Sequence, residues 1–198
     1  MDLRHSHEIL PALYVAVTSY HTNIIPTELA YAIAATREGI PFPSFVEALI
    51  MEVSLALLIE AIVRLPKPIG ATIGIVGGLI IGQAAVTAGI VSPIMIIIVS
   101  LTAITTFISP NYEITSAFRF IRFLLIVASA IIGLFGLMMG LILCLTHMVK
   151  LKSFGVSFMS PLVNLRTNDM KDVFVRSPLQ AMKYRPGFMN TGDKIRQK

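Results

Sequence analysis

The chain has 198 residues, 55% of them apolar and only 14% charged, with a net charge of +5. A soluble domain carries about a quarter charged residues, so these proportions and a mean hydropathy of +0.79 exclude an ordinary aqueous fold. The distribution is more decisive than the average: no Asp, Glu, Lys or Arg occurs from Pro68 to Tyr112, nor from Phe123 to Val149. Each run exceeds the roughly 20 residues a helix needs to cross hydrocarbon, and the first suffices for two crossings. Buried helices of a soluble protein would need a wrapping that the rest of this chain is too small to supply. The expected fold class is an all-α membrane protein, a helical transmembrane bundle.

Taken in chain order, Met1–Glu8 is a polar start with Arg4, His5 and His7. Ile9–Tyr20 is apolar but contains Pro11, and no small-residue cleavage pattern follows it, so a signal peptide is not expected. It is about half a span: either interfacial, or the end of a span whose beginning is missing. Ile24–Gly39 reads as a short helix, with Pro26 in its first turn, Glu28 at its positive end and Gly39 as a stop. Pro41 and Pro43 then impose an extended connector.

The next helix, Ser44 to about Arg64, opens with the S-x-x-E spacing of a capping box at Ser44 and Glu47. It is apolar all round yet carries Glu47, Glu52 and Glu60. On a helical wheel Glu52 lies about 140° and Glu60 about 220° from Glu47, so they share no face. An interfacial helix would gather its charges on one side; this one is expected to pack inside an assembly. Glu60 and Arg64 have the i,i+4 spacing of an ion pair. Glu52 has no local partner.

Leu65–Pro68 breaks the pattern, and Ile69–Ile90 and Val91–Ser109 read as two spans joined tightly around Ala88–Pro93. Gly70, Gly74, Gly78 and Gly82 form a small-xxx-small ridge for close helix packing, and Gln83 lies at its end. After Ser109–Tyr112, Glu113–Arg122 is expected to be an amphipathic connector bearing Arg119 and Arg122, and Phe123–Val149 the last span, with packing glycines at Gly133, Gly136 and Gly140. From Met148 onward ten Lys or Arg face only Asp169, Asp172 and Asp193. This basic tail, 150–198, has no nucleic-acid motif or aromatic interleaving; by the positive-inside rule it is cytoplasmic. Tracing back through three spans puts Thr22–Lys67 outside if the Ser44–Arg64 helix does not cross. Arg119 and Arg122 then also fall outside, which counts against that scheme.

No catalytic constellation is visible: H-E-x-x-H, a P-loop and G-x-S-x-G are all missing. No enzyme, cofactor or metal site is expected, since His5 and His7 form only an isolated H-x-H. The lone Cys144 allows no intrachain disulfide and reads as a small packing residue. Ionisable groups at membrane depth face a bundle interior or a water-filled path. The candidates for pore or gating roles are therefore Glu52, Glu60, Glu47 and Gln83, although Glu47 is also explained as a cap and Glu60 as the partner of Arg64.

The strings Leu10–Ala16 (LPALYVA), Ile25–Leu29 (IPTEL), Ala34–Ala48 (AATREGIPFPSFVEA), Arg64–Gly70 (RLPKPIG), Ile80–Val86 (IIGQAAV), Ala88–Ile94 (AGIVSPI), Ser109–Tyr112 (SPNY) and Ser153–Val156 (SFGV) appear in this order. With them the chain resembles the membrane region of the A subunit of GerA-type spore germinant receptors. The resemblance implies a location in the inner membrane of the dormant spore, beside a transporter-like B subunit that binds the nutrient and a lipoprotein C subunit. It implies that A subunits associate into a cation channel that opens when germinant binds. It also implies that a soluble domain and a complete span precede LPALYVA, so that Met1–Glu8 opens a C-terminal fragment or truncated reading frame. The alternatives are a transporter-associated or scaffold subunit without a pore, and a non-functional remnant.

Overall fold

The computed structural model describes residues 9–108, 112–153, 155–157 and 159. The Met1–Glu8 start, Ser109–Asn111 and the basic tail beyond 159 lie outside the described residues. The described chain is helical: α1 (Leu10–Tyr20), a 3-10 turn (Thr22–Ile24), α2 (Thr27–Thr36), α3 (Ser44–Arg64), α4 (Lys67–Thr87), α5 (Pro93–Ile108), α6 (Tyr112–Ile132) and α7 (Leu134–Lys150), then the two-residue strands β1 (Lys152–Ser153) and β2 (Val156–Ser157).

Two compact units divide within α7, at Leu141 and Ile142. The core of the first is built from α1, α3, α5 and α6. Ala12 and Val15 meet Ala48 and Met51, Met95 and Val99, and Leu125 and Ile126, with Leu137 of α7 alongside. α3 and α4 form an antiparallel hairpin, because Leu65 and Pro66 end one helix and Pro68 is tolerated in the first turn of the next. The second unit holds the end of α7, where His147 and Lys150 suit the negative pole of the helix. It also holds an antiparallel pairing of Lys152 with Ser157 and Ser153 with Val156, turned through Gly155 at φ +80°.

Three expectations change. The expected last span Phe123–Val149 is broken, and the expected connector Glu113–Arg122 is the first half of α6. The break falls at Gly133, whose φ of +66° is a left-handed value that continues no helix and that glycine adopts without strain. The chain turns there so sharply that a methyl group at Gly136 would overlap the Ala128 carbonyl oxygen. The capping box at Ser44 and Glu47 does not form. Pro43 takes the N-cap position, no side chain caps α3, and both residues bond elsewhere. Finally, one helix among the described residues, Thr115–Ile132 of α6, is both long and apolar enough to cross a membrane, with mean hydropathy 1.8. α1 and α7, with 11 and 17 residues, are shorter.

Around this apolar core, large apolar side chains are also exposed and three charged ones are buried. Ile75, Leu79, Phe120 and Ile131 are exposed, whereas Glu47, Glu52 and Arg122 are buried. Such a pattern suits a hydrocarbon surround, which accepts apolar side chains and drives charges to pair with one another.

Candidate functional site

The buried charges form two clusters, both on α3. In the first, Glu52 points at α6, where Arg122 Nη1 donates to Oε2 at 2.9 Å and to Oε1 at 3.1 Å. The two side chains are 1% and 2% exposed. Arg122 Nη2 also donates to Thr106 Oγ1 at 3.4 Å, and that hydroxyl in turn donates to the Thr102 carbonyl at 2.8 Å. Three helices, α3, α5 and α6, thus meet at one guanidinium. Thr115, Arg122 and Ser129, seven residues apart, form a single buried polar stripe on α6.

In the second cluster Glu47 is fully buried. Its Oε2 accepts the backbone N–H of Ser92 at 2.9 Å, so it caps the start of α5 rather than its own helix. Ser92 Oγ accepts from the N–H of Met95 at 3.4 Å, a local N-cap on the same helix. A carboxylate at that end is favoured by the helix dipole. Arg37, which closes α2, brings Nη2 to 3.0 Å from Glu47 Oε1. That oxygen makes an ion pair off the line of a hydrogen bond. Ser92, Arg37 and Glu47 are also the polar neighbours of the Tyr14 hydroxyl. Ser44 Oγ, freed from capping, pairs with Ser19 Oγ of α1 at 2.8 Å.

The remaining candidates lie apart from these clusters. Glu60 pairs with Arg64 as the spacing suggests, at 2.7 Å, but both side chains are exposed, at 43% and 77%. Gln83 is exposed and borders a half-open groove of ≈ 620 Å³ between α3, α4 and α5, with Ser54, Leu58 and Ser100 on its walls. The glycine ridge faces α3 over its first half. A methyl at Gly70 would stand 2.9 Å from the Ile62 carbonyl oxygen, one at Gly74 2.9 Å from Ile62 Cδ1, and one at Gly78 3.9 Å from Leu58. Gly82 instead looks toward Ile96 of α5. Gly77, outside the ridge, is as tight against Leu58 as Gly74 is against Ile62. Gly140 packs on Leu125, and Gly133 abuts Tyr20 and His21. The Tyr20 hydroxyl donates to the Ala130 carbonyl at 2.6 Å, satisfying an acceptor left open where α6 ends. No group of three or more His, Cys, Asp or Glu is placed to hold a metal among the described residues.

Sequence reasoning missed Arg122 as the partner of Glu52 and Arg37 as the partner of Glu47. A signal for the first existed: Glu52, with no opposite charge near it in sequence, and Arg122, at the edge of a long apolar run, each call for an opposite charge.

The described residues thus form a helical bundle with many large apolar side chains exposed, the charges Glu47, Glu52 and Arg122 buried, and one helix long and apolar enough to cross a membrane. The chain belongs to the Bacillus/Clostridium GerA spore germination protein family, whose family model matches residues 6–188. It is 50% identical over 189 residues to spore germination protein KA of Bacillus subtilis, covering 96% of this chain and 35% of that protein. It is 47% identical over 185 residues to spore germination protein GerLA of Bacillus cereus, covering 93% and 38%. An uncharacterized membrane protein of Bacillus subtilis, YfkQ, is 48% identical over 184 residues, covering 93% and 36%. The chain therefore spans little more than a third of the length of these relatives. No solved structure matches it.

Proposed function

We propose that this chain is the membrane region of the A subunit of a nutrient germinant receptor, crossing the spore inner membrane several times and forming with further A subunits a ligand-gated cation channel. The family match supports the receptor assignment. The observation that carries the membrane reading is the Glu52–Arg122 pair, enclosed in a bundle whose outer faces are apolar. A transporter-like B subunit and a lipoprotein C subunit are its proposed partners, with membrane lipid around α4, α6 and α7. Glu52 and Glu47 act in gating rather than as ion contacts in the resting state, because each carboxylate is occupied by an arginine. Glu60, half-exposed, and Gln83, exposed beside the groove between α3, α4 and α5, are the groups that an ion or a neighbouring subunit can reach.

Planar-bilayer recording of the complete receptor tests the assignment. Germinant is expected to evoke a cation current, and Glu52→Gln to alter its gating while sparing its selectivity. Absence of any germinant-evoked current from an assembled receptor would overturn the channel. The confinement of both Glu47 and Glu52 within one chain favours a second reading, a scaffold subunit without a pore. A single A copy per complex in detergent would support that scaffold, and a ring of copies the channel.

A further inference from the structure

Among the helices of the first unit, α2 has none of its residues buried; Leu29 and Tyr31 are exposed, and Ile33 is its packing contact with the core. Its C-terminal end is nevertheless tied to one of the deepest carboxylates of the bundle. Arg37 reaches Glu47, and the other oxygen of Glu47 holds the N–H of Ser92 at the start of α5. Two contacts thus link a peripheral helix to the first turn of a core helix.

We propose that Arg37, Glu47 and Ser92 form a clasp that transmits displacement of α2 to α5. The physical basis is the enclosure of Glu47. A fully buried carboxylate cannot replace a departing guanidinium with bulk water, so losing Arg37 leaves an uncompensated charge. Two responses of the bundle relieve that charge by moving α5: Glu47 follows Arg37 and releases Ser92, or α3 and α5 part to admit water. Arg37 is itself 21% exposed, so it is the member of the clasp that an event outside the bundle can reach. The proposal rests on the reading of the chain as a receptor subunit, to which it gives an input: whatever moves α2 is felt by α5.

The test is a distance measurement on the whole chain in lipid vesicles. Spin labels are placed at Tyr31→Cys on α2 and Ile97→Cys on α5, both exposed positions, with Cys144→Ala removing the native thiol. The unaltered clasp is expected to give one narrow distance distribution. Arg37→Gln and Glu47→Gln are each expected to shift it to longer, broader values, Arg37→Lys to retain most of the narrow population, and the double neutral variant to add nothing beyond either single change. Unchanged distributions in both single variants, or effects that simply add, overturn the clasp. Where a single variant does not accumulate, the double neutral variant is expected to, since it leaves no buried charge unpaired; its failure to accumulate also overturns the proposal. No germinant enters this measurement. A negative result therefore bears on the clasp alone, and an absent bilayer current bears on the receptor reading.

Discussion

Helix α3 is held on two sides by opposite means. Toward α6 it offers Glu52 to a single guanidinium, a contact that fixes one residue against another. Toward α4 it offers Leu58 and Ile62 to Gly70, Gly74 and Gly77, a contact that fixes only how close two backbones come. The difference lies in what each contact can lose. Dispersion packing between apolar helices degrades gradually, because lipid tails are as good a neighbour as leucine. A buried ion pair fails all at once, because each partner alone is a charge in the wrong solvent.

This contrast orders the expected effects of substitution. Arg122→Leu removes the guanidinium that faces Glu52 and is expected to lower the stability of the detergent-solubilised chain by about 3–5 kcal/mol, measured by reversible denaturant titration. On the glycine side, Gly70→Val forces side-chain atoms against the Ile62 carbonyl and is expected to cost about 1–3 kcal/mol in the same titration. A loss at Gly70 equal to that at Arg122 would erase the distinction between the two sides. Tyr20→Phe keeps the ring against Gly133 but removes the donor to the Ala130 carbonyl, and about 1 kcal/mol should be lost. The smallest effect belongs to Glu60→Gln. Its exposed pair with Arg64 contributes about 0–1 kcal/mol, and that contribution should fade as salt is raised.

Much of the helix order was legible because its punctuation is local. Pro43, Pro66 and Pro93 mark helix starts directly, whereas glycine spacing is a coarser guide: Gly70 and Gly74 stand tight against Ile62, Gly78 makes only ordinary contact with Leu58, and Gly77, outside the spacing, is tight. The break at Gly133 was not legible. Hydropathy runs through Phe123–Val149 without a charge or a proline, and nothing in spacing separates a glycine at positive φ from the packing glycines at Gly136 and Gly140. The capping box misled for a related reason. Its spacing was present, but the competing partner of Glu47, the N–H of Ser92, is 45 residues away. The pairing of Arg122 reaches further still, to a partner 70 residues away. Local spacing reports local bonds, and the site of this protein is made of long-range ones.

The most direct test of the ion pair as the fastening of this bundle is a double-mutant cycle on Glu52 and Arg122. Stability of the solubilised chain would be compared for Glu52→Leu, Arg122→Leu and both together. The account predicts two strongly destabilised single variants and a double variant restored toward the parent, a coupling of about 2–3 kcal/mol. Additive losses in the double variant would contradict it.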